Sequence, residues 1–286
     1  MDNAGVALAL GLLSAVALAA ANLAVKLGGD ILVGRAVLSC SAALLVAPFA
    51  LVVPLPDAAT VHALAWAIPA HWIYQLCLVR ALQRGQLSLV FPVMRGTAPL
   101  LTAAVALGVL HERLSVAGWL GLAIVTGAVV AFAWPPAGTR LREHPDRAAL
   151  GWAAATAIGI ALYNTADANG VRTAPTPATY IVWLFLLDWI GIGAVALALR
   201  HRGLVAAVKG QWRQGIAAGA LSVASFGAAL FAMSLAEVAK VSALRETAVL
   251  WAALLGALVM GDGLGRRRVA IAAVLVGGLT LLQLAG

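Results

Sequence analysis

Ionisable side chains lie within the long apolar segments of this 286-residue chain. An ionisable group in the hydrocarbon of a membrane costs several kcal/mol unless it faces protein or water. We therefore expect these groups to share a polar interior, where they could bind a solute or a proton. The residues concerned are Lys26, His71, Arg95, Asp167, Asp188, Arg245 and Glu246.

Arg95 lies near the middle of the fourth apolar segment, between Pro92 and Pro99. Because proline lacks a backbone donor, the pair predicts a bend in the helix, a feature expected beside a binding site at the membrane midplane. Arg95 and the neighbouring Met94 are assigned to a substrate site. The alternative is that Arg95 binds carbonyls released by the prolines or pairs with an acidic residue.

Arg245 and Glu246 are the counterpart in the second half of the chain. Adjacent helical residues point about 100° apart, so the two side chains are not expected to share one partner. Arg245 could bind a carboxylate through its planar guanidinium, and Glu246 could bind an ammonium group or a proton. A charge pair that only holds helices together is the alternative.

The third apolar segment carries His71 and Gln75 on one stripe, with Trp72 and Tyr74 beside them. Polar and aromatic groups in this pattern suit the wall of a solute cavity. A hydrogen bond from His71 to a neighbouring helix is the structural alternative. The other residues assigned to substrate binding are Tyr163, Ser222, Phe226 and Trp251.

Three carboxylates are candidates for proton coupling: Asp167, Asp188 and Glu246. Asp167 shares a helix face with Tyr163, although it could instead cap a turn before Asn169. Asp188 lies at mid-depth in the seventh segment, and a buried carboxylate without a cation keeps its proton. A structural hydrogen bond is the alternative for Asp188.

The composition excludes a soluble protein: 63% of residues are apolar and 10% are charged, against about 25% charged in soluble domains. The net charge of +8 suits loops that face anionic lipid rather than a nucleic-acid partner. Cys40 and Cys77 lie in apolar runs and predict no disulfide. The first segment lacks a basic leader, so we expect a retained helix rather than a signal peptide.

Ten spans of about 20 residues are predicted, at 4–25, 32–53, 60–82, 87–110, 115–134, 149–167, 179–199, 214–235, 239–260 and 268–285.

An internal repeat is indicated by polar anchors 150 residues apart, since Arg95-Gly96-Thr97-Ala98 matches Arg245-Glu246-Thr247-Ala248. The hydrophilic stretch Pro135–Arg147 lies between the two copies. Five spans in each half would give repeats of opposite orientation, as in many secondary transporters. The predicted organisation is a first repeat at 1–134, a connector at 135–148 and a second repeat at 149–286; chance similarity between Ala- and Leu-rich helices is the alternative.

The stretch from Phe91 to Val130 and its second copy from Ser242 to Gly278 resemble the end of an EamA-type repeat of the drug/metabolite transporter superfamily. The shared motif is an Arg-containing helix, an apolar run, a Gly-Glu-Arg-Leu-like turn and a Gly-rich closing helix. His111 and Asp262-Gly263 depart from it, at turns. The resemblance implies a ten-helix carrier for small metabolites, often an exporter of amino acids, that uses no ATP directly.

The expected protein is therefore an all-α, multi-pass protein of the bacterial inner membrane, with two inverted five-helix repeats around a central cavity. Its expected function is secondary transport by alternating access, without metal or cofactor, with the proton as a candidate coupling ion, and as a monomer or homodimer. An exporter of lipophilic cations and a membrane enzyme acting on lipid or isoprenoid are the alternatives, although no metal-binding or phosphate-binding motif occurs.

The loop charges predict the orientation of the termini. Loops after odd-numbered spans carry fourteen Lys and Arg, against three in loops after even-numbered spans. This difference predicts termini outside the cytoplasm, whereas the resemblance implies termini inside.

Overall fold

A computed structural model describes residues 3–28, 30–84, 93–133, 147–200, 203–260 and 266–285. All regular secondary structure in these ranges is helical, which confirms the all-α prediction. The helices are α1 (Asn3–Gly28), α2 (Ile31–Val46, followed by a 3-10 turn at Ala47–Leu51), α3 (Ala58–Arg84), α4 (Ala98–Val109), α5 (Val116–Ala133), α6 (Arg147–Thr173), α7 (Pro177–Arg200), α8 (Leu204–Met233), α9 (Val238–Arg245), α10 (Ala248–Met260) and α11 (Arg266–Leu284).

Four helices among the described residues are long and apolar enough to cross a membrane. They comprise Asn3–Val25, Ile31–Leu51, Pro177–Arg200 and Leu204–Met233. Three shorter apolar segments lie at Val93–Val109, Val116–Ala131 and Val269–Leu284, the first of them bent at Thr97. Large apolar side chains are also exposed, including Leu44 at 70%, Trp66 at 75% and Val116 at 89%. Such an apolar exterior fits a protein that associates with a membrane.

The ninth predicted span, 239–260, is wrong as a single helix. Helix α9 ends at Arg245 and α10 begins at Ala248. The backbone N–H groups of Glu246 and Thr247 bond to carbonyls three residues back, those of Ala243 and Leu244, which tightens the chain there as in a 3-10 turn. The hydroxyl of Thr247 also donates to the Leu244 carbonyl at 2.8 Å. Glu246 therefore stands at a break between two helices.

A second break lies where the prolines predict a bend. Residues 93–96 are helical, the chain bends at Thr97, and α4 then begins at Ala98. The Thr97 hydroxyl donates to the Val93 carbonyl at 2.6 Å. Pro99 occupies the first turn of α4, where a missing donor costs little. Pro92 and residues 85–91 lie outside the described residues.

Two other predicted boundaries differ from the structure. Helix α8 begins at Leu204 rather than at 214, because ten less apolar residues, 204–213, extend it and include a kink at Gln211. Helix α6 continues to Thr173, so Asn169 lies within the helix and Asp167 caps no turn there. The capping interpretation of Asp167 is therefore wrong.

The described chain divides into two structural units. Unit 1 is formed by Met1–Trp72 and Ala166–Ala236, which include α1, α2, α7 and α8. Helices α2 and α8 approach closely at Gly219, where a Cβ atom would lie 2.9 Å from the Leu38 carbonyl oxygen. Ser225 of α8 also donates to the Ser14 carbonyl of α1 at 2.8 Å.

Unit 2 is formed by Ile73–Thr165 and Glu237–Gly286. Helices α5 and α11 cross at Gly121, where a Cβ atom would lie 2.7 Å from the backbone nitrogen of Leu282. Glu112 accepts a hydrogen bond from the Val238 backbone at 2.9 Å and so caps the start of α9. The core at this crossing contains Leu122, Val125, Val129, Leu275, Leu279 and Leu282.

Each unit combines segments from both halves of the sequence. Helix α3 contributes its first part to unit 1 and its last part to unit 2, and α6 contributes in the opposite order. The division into repeats at 1–134 and 149–286 remains a prediction about sequence ancestry and membrane orientation.

Candidate functional site

Unit 2 contains a group of buried polar residues that we call the Arg95 cluster: Arg95, Arg245, Glu246, Tyr74 and Tyr163. The Nε atom of Arg95 lies 3.4 Å from Oε2 of Glu246, with the two side chains 15% and 3% exposed. Both residues stand beside helix breaks, Arg95 before Thr97 and Glu246 between α9 and α10. An acidic partner for Arg95 was one of the alternatives that the sequence left open.

Arg245 is the last residue of α9 and is buried at 6% exposure. It lies close enough to Glu246 for their charges to interact. The cluster therefore brings two guanidinium groups and one carboxylate together away from solvent. Buried charges of this kind are tolerated only with partners nearby.

Two tyrosine rings border these charges. The ring centroids of Tyr74 and Tyr163 are 5.0 Å apart at an interplanar angle of 59°, and both rings are within electrostatic range of Arg95. Gly159 allows α6 to approach Tyr74, since a Cβ atom there would lie 3.0 Å from the Tyr74 Cβ. Gln75, one residue on from Tyr74, is buried at 3% exposure.

Other buried polar residues of unit 2 surround Asn164, next to Tyr163 on α6. Its Nδ2 atom donates to the Thr102 hydroxyl at 3.4 Å and to the Ser242 hydroxyl at 3.3 Å. All three residues are at most 3% exposed. Within the described part of the chain, Oδ1 of Asn164 has no hydrogen-bond partner. Asn164 contacts Ser242, and Ser242 lies about one helical turn before Glu246. Oδ1 of Asn164 and the Glu246 carboxylate are therefore in the same region of unit 2.

Unit 1 contains a second buried group, the His71 cluster, formed by His71, Asp167 and Tyr180. The Nε2 atom of His71 lies 2.9 Å from Oδ2 of Asp167, and the Tyr180 hydroxyl donates to Oδ1 of Asp167 at 2.8 Å. His71 is 6% exposed, and the other two residues are fully buried. Helices α3, α6 and α7 supply one residue each.

Aromatic side chains of unit 1 pack around the His71 cluster. The Phe226 ring lies edge-on to the His71 ring, with centroids 5.4 Å apart, and Phe185 packs against Phe226 at 6.1 Å. Gly170 leaves room for the Tyr180 ring, because a Cβ atom at that position would collide with it.

The remaining predicted site residues take varied positions. The Trp72 indole donates to the backbone carbonyl of Asp188 at 2.9 Å. Asp188, Ser222 and Trp251 are half-buried. Met94 is buried in an apolar group with Ala81, Ala149 and Ala153. Lys26 lies in α1, and its side chain is outside the described part of the structure.

Sequence reasoning missed Tyr180, Thr102 and Ser242. All three are common residues in apolar helices, and their partners lie on other helices, so no spacing along the chain marks them. Residues 181–187, which follow Tyr180, are all apolar or aromatic. A tyrosine hydroxyl beside such a segment needs an acceptor when it is buried, and this is the one signal that could have marked Tyr180.

No known protein-family profile matches the chain, and no curated protein matches it. A crystal structure of another protein is similar, with 18% sequence identity, a TM-score of 0.76, and coverage of 97% of this chain and 96% of the other. At this level of identity the likeness shows the fold alone. The fold and the two clusters thus define an all-α protein with helices suited to a membrane and with buried charged groups.

Proposed function

We propose that this protein is a secondary transporter of small metabolites in the bacterial inner membrane, with export of amino acids or related compounds as its role. In this proposal ten helical segments cross the membrane as two inverted five-helix repeats, and the protein works by alternating access. The EamA-like motifs at 91–130 and 242–278 support the proposal, as do the apolar helices.

The observation that carries the proposal is the pairing of Arg95 with Glu246 at two helix breaks. Interrupted helices within a membrane occur only where the released backbone groups are buried in protein or line a cavity. Transporters build their substrate sites from such broken helices.

The chemistry of the Arg95 cluster suits a zwitterionic solute. A guanidinium group binds a carboxylate through paired hydrogen bonds, and the Glu246 carboxylate can bind an ammonium group. The unpaired Oδ1 of Asn164 offers a second acceptor nearby in the fold. The rings of Tyr74 and Tyr163 provide apolar surface beside these charges.

A lipophilic-cation exporter is the second candidate, favoured by the same tyrosine pair. Aromatic faces attract cations, and Glu246 would supply the counter-charge. This candidate predicts that Glu246 matters for binding and that Arg245 does not, whereas an amino-acid site requires both residues.

Uptake by proteoliposomes separates the two candidates and tests the proposal. The assay uses a panel of radiolabelled amino acids, sugars and lipophilic cations, with protein-free liposomes as the blank. We expect amino-acid transport, and we expect Arg245→Ala to lower it at least about tenfold, since a hydrogen bond between charged groups contributes about 1.5–3 kcal/mol.

The matched control is Arg113→Ala, which removes an exposed arginine of the turn before α5 and should leave transport within about twofold of wild type. Failure to transport any solute of the panel would refute the proposed function. An equal loss in both arginine variants would remove Arg245 from the substrate site.

A further inference from the structure

The His71 cluster has no part in the substrate site proposed above, yet it holds a buried carboxylate and a buried imidazole in direct contact. Both oxygens of Asp167 are engaged, one by His71 at 2.9 Å and the other by the Tyr180 hydroxyl at 2.8 Å. The Tyr180 hydroxyl donates, whereas the His71 ring nitrogen can donate or accept, so the contact accommodates a proton on either His71 or Asp167.

The charge of the pair depends on one proton. With Asp167 ionised and His71 neutral the pair carries −1, and one added proton brings the pair to zero. Burial in an apolar surrounding favours the neutral state, whereas the Tyr180 hydrogen bond stabilises the charged one. These two effects oppose each other, and histidine is the side chain that exchanges protons near neutral pH.

The helices around the cluster place few other charges near it. The Phe226 ring from α8 covers one edge of His71. On α6, Arg172 donates to the carbonyls of Met233 and Ala236, each at 2.8 Å. The remaining ionisable residues of α3, α7 and α8 in unit 1 lie two or more turns along their own helices from the cluster residues or Phe226, namely His62, Asp188, Arg200, Lys209 and Arg213. The backbone carbonyl of Asp188 accepts from the indole of Trp72, next to His71 in the chain.

We propose that His71 and Asp167, with Tyr180 as the positioning residue, form a proton-binding site that takes up and releases one proton in each transport cycle. The use of that proton rests on the proposed function. The existence of the site does not, because the hydrogen bonds that define it join residues of unit 1.

The first test measures proton binding directly. Protein with ¹⁵N-labelled histidine rings is reconstituted in liposomes and titrated from about pH 5 to pH 9 by solid-state NMR, a range that spans ordinary histidine protonation. We expect a titrating signal that is absent in His71→Gln and that moves by at least about one pH unit in Asp167→Asn. His62→Gln, an exposed histidine on the same helix, should leave that signal in place.

Tyr180→Phe gives the sign of the effect. Without the hydroxyl the negative charge of Asp167 is less stabilised, so the pair should keep its proton to higher pH and the midpoint should rise. A His71 signal that shows no change across the range, or a midpoint unaffected by both Asp167→Asn and Tyr180→Phe, would overturn the proposal.

The second test measures coupling with a ¹⁴C-labelled amino-acid mixture. Proteoliposomes are assayed for exchange at equal pH and for accumulation driven by a pH gradient. In His71→Gln we expect gradient-driven accumulation to be lowered at least about tenfold more than exchange at equal pH is lowered. Gradient-driven accumulation at the wild-type level in this variant would overturn the coupling role. Absence of both activities in wild type would refute the proposed function, and the titration would still decide whether the proton site exists.

Discussion

The contributions of Arg95 and Glu246 to stability depend on each other, because each is a charged partner of the other. Their contact at 3.4 Å compensates for the water that each charge has lost, and a buried ion pair of this kind contributes little net stability over apolar residues. Its main physical effect is on single substitutions, because removal of one partner leaves the other charge buried alone.

Glu246→Gln should therefore destabilise the protein by about 3–5 kcal/mol, as found when one partner of a buried pair is removed. The double variant Arg95→Gln with Glu246→Gln should recover part of the loss, since Arg245 also interacts with Glu246. Thermal unfolding in detergent measures both, and Glu237→Gln serves as control, since Glu237 forms a more exposed pair with Lys240 worth at most about 1 kcal/mol. Equal losses in the single and the double variant would contradict this account.

Close packing between α5 and α11 depends on a glycine, which has no side chain to separate the two backbones. In α5, Gly121 faces the backbone of α11, whereas Gly127 of the same helix has open space around its Cβ position. The two glycines look alike in the sequence. Only the crossing partner separates a packing glycine from an incidental one.

Gly121→Ala should lower stability by about 1–3 kcal/mol, the usual effect of forcing atoms into a packed core, because a Cβ would lie 2.7 Å and 2.9 Å from backbone atoms of α11 that cannot move aside. Gly127→Ala should leave stability unchanged or raise it by up to about 1 kcal/mol through helix propensity. Unfolding of the two variants in the same detergent measures the contrast, and a similar change in both would be evidence against the crossing.

Helix α2 begins at a cap that is sensitive to pH. Asp30, between the apolar spans of α1 and α2, accepts from the backbone of Leu32 and Val33 and pairs with Arg200 at 3.1 Å. Burial acts to raise the pKa of Asp30, but the hydrogen bonds from Val33 and Arg200 outweigh it and hold the pKa below its ordinary value of 3.8. A lowered carboxylate pKa means that the cap stabilises the folded state above pH 3.8 and loses this effect as pH falls through the folded value.

Asp30→Ala should lower stability at pH 7 by about 0.5–2 kcal/mol, the usual range for a lost cap. The difference from wild type should shrink below about pH 4, as the wild-type carboxylate gains its proton. Unfolding temperatures from pH 7 down to pH 3 measure this. Asp30→Asn is the control, because an amide oxygen can still cap; a pH-independent gap between Asp30→Ala and wild type would rule the mechanism out.

Hydropathy alone predicted the helices that are apolar and bounded by polar residues. Helix α7 at Pro177–Arg200 matches the predicted 179–199, and α5 at Val116–Ala133 matches 115–134. The break at Glu246 escaped prediction, because averaging over a span-length window hides two charged residues within an apolar run. The partners of Asp167 escaped as well, since helix periodicity describes one helix and the Tyr180 contact joins two.

At the scale of the whole molecule, the number of spans decides where the connector lies. Five spans before it, as proposed, would place the connector on the membrane side opposite to the N-terminus. If only the four long apolar helices crossed, α1 and α2 would precede it and α7 and α8 would follow it, so that connector and termini would share one side.

Single cysteines in a Cys40→Ala, Cys77→Ala background measure this arrangement. We expect Asn3→Cys and Gly286→Cys to react with a membrane-impermeant maleimide from one side of oriented vesicles and Thr139→Cys to react from the other, as five spans in each half require. Reaction of all three cysteines from the same side would refute the ten-span topology.

The interleaving of the units has a consequence for how the polypeptide is made. Unit 1 needs residues up to Ala236, and unit 2 needs residues that follow it. A nascent chain that has been synthesised as far as the connector therefore contains only part of each unit. Asp167 and Glu246 have not yet been added to it. The partners of His71 and Arg95 are translated almost a hundred residues or more after them, so these buried polar groups lack those partners during part of the synthesis of the protein.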